Sequence, residues 1–342
     1  MPHHRNTKCK KKAVIGLVVG GSVAVGAAAV LASSAQAARV NTHGDDARAV
    51  GGRGEGFSPF LDASDSRAPE LASTAAENGV RSFTLGYLKR STGCAAEGGD
   101  EVLAQLGRLR QGGGDVRVSF GGDGGDLTPS CSSAKALAAA YAKVIDKYKI
   151  TKVDFDVQGF VLNMPDLNPR RSQAIALLQK NHPGLDVSIS LPALANGLTP
   201  NGLKVLSSAK EKGARVSTVN IVTADPGDSA AGDDLLKDTT SAATTTQRQL
   251  KSTLGLSETQ AWKSLAITPR IGANDFGKRT FTLENAKTLV AFANSKHVGR
   301  LSMDSMNRDK QCQGSSGGAN ASCSGVRQEP FAFSKILGSY RG

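Results

Sequence analysis

Short runs of apolar and β-branched residues alternate with amphipathic segments from residue 57 to near the end of the chain. Each run has the length and composition of a buried strand. The eight predicted strands cover residues 57–61, 82–88, 116–120, 152–157, 187–191, 218–222, 265–271 and 299–303.

The segments that separate these runs are predicted helices. The segment at 133–148 carries an apolar stripe at Leu137, Tyr141, Val144 and Ile145, as expected for one face of a helix. The predicted helices cover residues 69–78, 100–111, 133–148, 170–181, 200–212, 233–253, 283–295 and 331–337.

The alternation of strand and helix, repeated eight times, indicates an α/β fold, specifically a single (β/α)8 TIM barrel. A doubly wound open sheet is the alternative. That fold typically has fewer strands and often places a glycine-rich phosphate loop after its first strand. Here the glycine cluster that begins at Gly121 follows the third strand, which favours the barrel.

Candidate functional residues collect at one edge of the predicted barrel, where strands end and the following loops begin. They are Tyr87 on the second strand, Gly121 and Gly122 after the third, Asp154, Asp156 and Gln158 on and after the fourth, Asp225 after the sixth, and Asp304 after the eighth.

The amino-terminal residues 1–37 have the pattern of a signal peptide. Five basic residues precede an apolar run at 13–32, and Ala35-Gln36-Ala37 offers the small-x-small pattern of a cleavage site. An uncleaved membrane anchor is the alternative, although the many Gly and Ala residues make a poor permanent span. We therefore expect a secreted, extracellular protein with no membrane contact after cleavage, a flexible lead-in at 38–56 and one domain at 57–342.

Net charge and the placement of histidines and cysteines argue against nucleic-acid binding and against a metal site. Cleavage would remove five basic residues and no acidic ones, which lowers the formal charge from +12 to +7. No basic stripe with interleaved aromatic residues is present, so nucleic acid is not an expected partner. The scattered histidines and the absence of a Cys-x-x-Cys pair predict no metal site and no cofactor.

Four cysteines remain in the predicted mature chain, namely Cys94, Cys131, Cys312 and Cys323. An even number in an exported chain indicates two disulfides, and counting alone leaves three pairings open. Cys312 and Cys323 flank a Gly/Ser-rich loop and form the obvious local pair, which leaves Cys94 with Cys131.

The fourth predicted strand carries the most informative pattern. Alternate residues of a strand share a face, so Asp154, Asp156 and Gln158 point one way while Val153 and Phe155 point the other. Burying two carboxylates is unfavourable, and like charges this close raise at least one pKa. The pattern indicates a functional site, and a purely structural pair of hydrogen-bonded acids is the alternative.

This strand resembles the Asp-x-x-Asp-x-Asp-x-Glu signature of family 18 glycoside hydrolases, the chitinases and their relatives. Ser119-Phe120-Gly121-Gly122 resembles the family's Ser-x-Gly-Gly motif on strand three. Further similarity covers residues 188–192, 219–227, 267–272, 301–312 and 323–326, in the same order along the chain. The resemblance covers about residues 57–337.

The resemblance implies a (β/α)8 barrel that acts on N-acetylglucosamine polymers. In the family, the final Glu of the signature protonates the glycosidic oxygen, and the N-acetyl carbonyl of the substrate attacks the anomeric carbon. The acids that match Asp154 and Asp156 orient the N-acetyl group and tune the glutamate.

Four positions depart from the family pattern. Thr151 replaces the first Asp of the signature, and Gln158 replaces the proton donor. Pro226, after the retained Asp225, stands where relatives have a tyrosine, and Asp304 stands where a tryptophan forms the floor of the sugar site.

These departures predict a secreted, monomeric chitinase-like protein that binds chitin or N-acetylglucosamine oligosaccharides and is catalytically impaired or non-hydrolytic. The alternative is a weakly active or altered glycosidase that uses another proton donor, such as Asp225. Trp262, the only tryptophan, lies just before strand seven and is expected to pack in the core.

Overall fold

The structure is a computed structural model that describes residues 56–66, 68–90, 93–223, 234–274, 279–313 and 320–342. The predicted signal peptide at 1–37 and most of the lead-in, 38–55, lie outside the described residues and stay predictions. All eight predicted strands lie within the described residues.

Eight strands form one parallel sheet whose spatial order follows the order of the chain. They are β1 (Phe60–Asp62), β2 (Ser82–Arg90), β3 (Asp115–Gly121), β4 (Lys152–Asp156), β5 (Asp186–Leu194), β6 (Thr218–Thr223), β7 (Leu265–Pro269) and β8 (Arg300–Leu301). Each predicted strand is present, with ends that differ by a few residues.

The eight parallel strands alternate with helices, so the fold is α/β. The sheet is curled. Strand order rises steadily from β1 to β8 without the reversal that defines a doubly wound sheet. Backbone hydrogen bonds also link the two ends of the sheet: the Ser58 amide donates to the Leu301 carbonyl, and the Phe60 amide donates to the Met303 carbonyl.

Eleven helices occur among the described residues. They are α1 (Leu71–Asn78), α2 (Asp100–Leu103), α3 (Leu106–Gln111), α4 (Ala134–Tyr148), α5 (Gly159–Leu162), α6 (Asn168–Asn181), α7 (Pro200–Glu211), α8 (Leu235–Leu254), α9 (Glu258–Lys263), α10 (Leu283–Lys296) and α11 (Ala332–Leu337). Within the part of the chain described, none is both long enough and apolar enough to span a bilayer.

The helix expected at 100–111 is in fact two helices, α2 and α3, separated by a turn at Ala104 and Gln105. The side-chain carbonyl of Gln105 accepts a hydrogen bond from the Leu71 amide at the start of α1. Two further helices, α5 and α9, were not predicted.

The outer face of the sheet packs against the helices through aromatic contacts. Phe120 on β3 and Phe155 on β4 lie 5.9 Å apart between ring centroids, and both contact Tyr141 of α4, at 4.6 and 5.1 Å. These outward-facing residues alternate with the polar ones of the same strands, so the register of β4 directs its aspartates to the inner face.

Trp262 lies in α9, where it is buried against Phe292 of α10 at 6.0 Å between ring centroids. The expectation that the single tryptophan packs in the core, away from the candidate site, is confirmed.

Both expected disulfides are present: Cys94 is bonded to Cys131, and Cys312 is bonded to Cys323. The first joins residues 37 apart in sequence, and the second joins residues 11 apart. The first therefore restricts the unfolded chain more.

Removing each disulfide separately tests this ranking. Cys94→Ala/Cys131→Ala should lower the free energy of unfolding by about 4 kcal/mol, and Cys312→Ala/Cys323→Ala by about 3 kcal/mol, because the entropy of loop closure grows with loop length. Urea denaturation of the two double variants measures both values. A larger loss from the shorter loop would contradict this account.

Candidate functional site

Strand β4 places two carboxylates on the inner face of the curled sheet. Asp154 is paired in register with Ser119 of β3 and Ser188 of β5, and Asp156 is paired with Gly121 and Ser190. Small neighbours on both sides leave room for the two acidic side chains. The predicted alternation of β4 is confirmed.

Asp154 is fully provided with hydrogen-bond donors. Only 1% of the residue is exposed, and its Oδ2 accepts hydrogen bonds from the hydroxyls of Ser119 and Ser190, both at 2.8 Å. Its Oδ1 accepts from the hydroxyl of Ser188. Three donors hold this carboxylate in one orientation, as burial of a charge requires.

The hydrogen bonds continue from Asp154 across the inner face. The side-chain amide of Asn220 on β6 donates to the Ser190 hydroxyl at 2.9 Å, and the Thr268 hydroxyl on β7 donates to the Asn220 carbonyl oxygen at 2.7 Å. Buried networks with every member satisfied stiffen a site. Asn220 and Thr268 were not among the predicted site residues.

Asp156 has a different environment from Asp154. The residue is 8% exposed, and its Oδ2 accepts a hydrogen bond of 3.2 Å from the Nε2 of Gln158. Its Oδ1 is buried and has no hydrogen-bond partner among the described residues. An unpartnered buried acceptor loses its contact with water without compensation, which costs about 1–3 kcal/mol.

Burial raises the pKa of the Asp156 carboxyl well above its ordinary value. Nearby carboxylates add to the effect, in the order Asp154, Asp123, Asp304 and Asp126. Desolvation and like charges both disfavour the ionised form of an acid. Asp156 therefore keeps a proton at pH values where an exposed aspartate has lost it.

Gly121 brings β3 unusually close to β4. Its φ of 109° is unfavourable for other residues, and a Cβ atom built on it would lie 2.2 Å from the Asp156 carbonyl oxygen. Gly122 begins the turn that follows, also at positive φ. Glycine at 121 is thus a steric requirement of the strand that carries the acids.

Asp304 follows β8 and forms an ion pair with Arg270, which follows β7, with 2.7 Å between Oδ2 and Nη1. Both side chains are largely buried. The residue that the sequence suggested as a polar replacement for an apolar floor is therefore neutralised by a guanidinium group.

A second ion pair lies below the glycine-rich turn. Asp126 Oδ2 accepts hydrogen bonds from the Nη2 of Arg171 at 2.8 Å and from its Nε at 3.2 Å, and both residues are buried. The Asp126 Oδ1 accepts from the Thr128 amide. This pairing anchors the turn that follows β3 to helix α6.

Phe160 is an aromatic residue that the sequence reasoning missed. It lies in α5, two positions after Gln158, and is 77% exposed. A large apolar side chain left in water close to Gln158 is informative. The signal was available in the sequence, because Phe160 lies two residues beyond the last position of the recognised motif.

Three predicted features lie outside the part of the chain that the structure describes. Asp225 and Pro226 lie outside the described residues, and Tyr87 lies on β2 with its side chain likewise outside them. Their proposed roles stay predictions. Across the described segments, no group of three or more His, Cys, Asp or Glu side chains is arranged to hold a metal ion.

No protein-family model matches the chain. Two relatives do: Endochitinase 11 of Metarhizium anisopliae is 30% identical over 275 residues, which are 74% of this chain and 52% of the relative. A probable bifunctional chitinase/lysozyme of Escherichia coli is 30% identical over 315 residues, 83% of this chain and 34% of the relative. The chain thus spans about half the length of the first relative and about a third of the length of the second.

A solved structure is also similar. Active domain 2 of the thermostable chitinase from Pyrococcus furiosus, studied as catalytic-site mutants in complex with chito-oligosaccharides, matches with a TM-score of 0.75 and 29% identity. The match covers 83% of this chain and 93% of that domain.

The charge state of Asp156 should appear in the pH dependence of stability. Since the folded-state pKa is raised, stability falls as pH rises from the unfolded value, about 3.9, through the folded value, because only the unfolded state releases its proton there. Asp156→Asn removes this loss. The variant should gain free energy of unfolding over the parent as pH rises through that window, and the gain should vanish at lower pH.

Urea denaturation of both proteins from pH 3.5 to 8 measures the difference. The matched control is Asp166→Asn, which changes an exposed acid shortly after α5. The stability of this variant relative to the parent should not depend on pH in this way. An Asp156→Asn variant that loses stability at neutral pH would show that the carboxylate is well compensated.

Proposed function

We propose that this chain, which its homologues and structural neighbours support as a chitinase-like protein of glycoside hydrolase family 18, binds N-acetylglucosamine-type glycans without hydrolysing them at ordinary rates. The observation that carries the proposal is the contact between Gln158 and Asp156. An amide lies beside the inner carboxylate at the position that the family resemblance assigns to the proton-donating glutamate.

A carboxamide cannot replace a general acid. Protonation of a leaving glycosidic oxygen needs a group that releases a proton near the working pH, and loss of such a group typically slows a reaction by about 10²- to 10⁴-fold. The Gln158 amide can donate a hydrogen bond, as it does to Asp156, but it retains its protons. Binding is therefore preserved more readily than cleavage.

The replacement of the expected tryptophan by Asp304 also argues against hydrolysis at ordinary rates. Asp304 and Arg270 form an ion pair where the family resemblance places an apolar floor for the sugar. A charged pair offers hydrogen bonds in place of a stacking surface. The Pro226 position adds a third departure at sequence level.

Glycan binding would use the features that remain. Asp154 and its serine partners form a rigid base, Asp156 has an oxygen that no described residue contacts by a hydrogen bond, and Phe160 offers an exposed ring nearby in the chain. A sugar ring that covers Phe160 would remove apolar surface from water, which stabilises binding by about 25 cal/mol per Å².

A weakly active glycosidase is the second candidate, favoured by the raised pKa of Asp156. A carboxyl that keeps its proton at mildly acidic pH has the chemistry of a proton donor. Asp156 is more buried than Gln158, which makes it the poorer donor to the glycosidic oxygen of a bound sugar. Asp225 is the other donor that the sequence offers.

Two further features belong to this proposal. We expect secretion, supported by the amino-terminal pattern of basic, apolar and small residues and by two disulfides. We also expect the curled sheet to close into a (β/α)8 barrel, supported by the hydrogen bonds between residues 58–60 and 301–303.

Turnover of a fluorogenic N-acetyl-chitooligosaccharide tests the absence of ordinary hydrolysis. The protein should release fluorophore at least about 10²-fold more slowly than an active family 18 chitinase under the same conditions. Gln158→Glu should not restore ordinary rates, because Asp304 and Pro226 also differ from active relatives. Full recovery in that single variant would overturn the weight given to the other positions.

Substituting Phe160 tests the binding surface. Phe160→Ala should weaken binding of an N-acetylglucosamine tetramer by about tenfold, since the lost apolar contact corresponds to about 1.4 kcal/mol. Titration calorimetry gives the dissociation constants, and Asp166→Asn should leave them unchanged. Equal affinity in Phe160→Ala and the parent would remove Phe160 from the site.

A further inference from the structure

A cavity of about 540 Å³ lies where strands β2, β3 and β4 begin, and the first residues of these strands line it, Ser82, Asp115 and Lys152. This volume is in the range of small-molecule sites, about 300–1,000 Å³. Asp156 ends the strand that Lys152 begins, so roughly 13 Å of extended chain separates the two residues. The cavity is therefore distinct from the candidate glycan site.

The lining of this cavity is basic. Among the described residues, Arg81, Lys152 and Arg341 line it, and Asp115 is the one acidic side chain that does. Asp115 already forms an ion pair with Arg110, with 3.0 Å between Oδ1 and Nε. It therefore offsets little of the positive charge of the other three side chains.

The acid nearest to Lys152 in the sheet is also engaged. Asp186 of β5 is paired in register with Lys152, but its Oδ2 accepts a hydrogen bond of 2.7 Å from the Nη2 of the buried Arg117. Burial acts to raise the pKa of Asp186, yet the charge of Arg117 holds it below its ordinary value. Asp186 is thus ionised, and its charge is balanced by that arginine.

Backbone carbonyls orient the two arginines of the lining. The Nη1 of Arg81 donates to the Gly112 carbonyl, and the Nη1 of Arg341 donates to the Gly338 carbonyl at 2.9 Å. A carbonyl oxygen fixes the direction of a guanidinium group but carries no full negative charge. Each guanidinium also has further N–H donors that can reach a ligand.

The hydroxyl of Ser82 is a second, independent observation. Its Oγ is buried and has no hydrogen-bond partner in the part of the chain that the structure describes. Buried polar groups in proteins nearly always have a partner. A ligand in the cavity that accepts a hydrogen bond would supply one, and a negatively charged acceptor would also balance the basic lining.

We propose that this cavity binds a small oxyanion of the phosphate or sulfate class. Arg81, Lys152 and Arg341 supply positive charge and N–H donors, and Ser82 supplies a hydroxyl donor. Guanidinium and ammonium groups are the side chains with which proteins commonly hold such anions. The proposal concerns the opposite end of the sheet from Asp156 and does not rest on the proposed function.

Titration calorimetry with inorganic pyrophosphate at pH 7 and constant ionic strength tests the proposal. Binding should be saturable, with one anion per chain, and weaker when the whole series is repeated at higher salt. Sulfate should bind more tightly than acetate, because it carries more charge and more acceptor oxygens. Absence of saturable pyrophosphate binding, or equal affinity for sulfate and acetate, would overturn the proposal.

Charge variants locate the anion. Arg81→Gln/Arg341→Gln changes two exposed side chains and should weaken pyrophosphate binding at least about tenfold, and Lys152→Gln should weaken it to a similar degree. The matched control is Arg248→Gln, which changes an exposed arginine of α8 outside the lining. This control should keep the affinity within about twofold. An equal loss in the control and in the double variant would show attraction to net charge alone and contradict the assigned site.

Ser82→Ala separates a ligand contact from a structural role. The variant should bind pyrophosphate at least about threefold more weakly, because one donor is lost. Its urea denaturation midpoint without anion should stay the same or rise, because the hydroxyl forms no hydrogen bond with the described residues. A loss of stability without a loss of affinity would overturn the assignment of this hydroxyl to the ligand.

Competition distinguishes the cavity from the candidate glycan site. Saturating N-acetylglucosamine tetramer should leave the pyrophosphate affinity unchanged, whether or not the tetramer itself binds. Pyrophosphate binding without tetramer binding would overturn the proposed function and support this inference. Displacement of pyrophosphate by the tetramer would place the anion beside Asp156 and overturn the inference.

Discussion

Two carboxylates, those of Asp154 and Asp156, lie buried on the same face of one strand, and like charges this close oppose each other's ionisation. The surrounding residues supply more hydrogen bonds to one of these acids than to the other. Three serine hydroxyls donate to Asp154, whereas Asp156 receives one amide hydrogen bond and has one oxygen without a partner in the part of the chain that the structure describes. The first acid therefore acts as a fixed part of the scaffold, and the second keeps hydrogen-bonding capacity that the described residues do not use.

The side chain at position 158, which contacts Asp156, decides which chemistry the site supports. A carboxyl at position 158 would share protons with Asp156 and deliver one to a leaving group. The amide of Gln158 instead holds Asp156 by a hydrogen bond of 3.2 Å. We propose that recognition and proton transfer are separated in this way, because the amide at position 158 orients Asp156 but releases no proton. The paired charges of Asp304 and Arg270 extend this polar character to the ends of β7 and β8.

The fold was predictable because its pattern is repetitive. Eight apolar runs and the alternation within β4 were sufficient for strand number, strand order and the inward direction of Asp154 and Asp156. The break between α2 and α3 was not, since it coincides with a tertiary contact of Gln105 with Leu71. Helix α9 was missed although Ser257 and Gln260 form a capping box that the sequence displays.

Within the site, residue types on β4 could be read from the sequence, but their partners could not. The link from Asp154 through Ser190 to Asn220 and Thr268 crosses four strands, and its members lie far apart in the chain. The pairing of Asp304 with Arg270 also joins separate loops. Small polar residues at inward positions, such as Ser188 and Ser190 between apolar residues of β5, were the available signal.

The proton on Asp156 is the most direct measure of this account. Carboxyl ¹³C chemical shifts of aspartate-labelled protein, followed against pH, report the ionisation of that residue alone when the spectrum is compared with that of Asp156→Asn. We expect the pKa of the Asp156 carboxyl to lie well above the value of about 3.9 that an exposed aspartate has. A pKa at or below that value would mean that Asp156 is already compensated, and the open carboxylate at the centre of this interpretation would not exist.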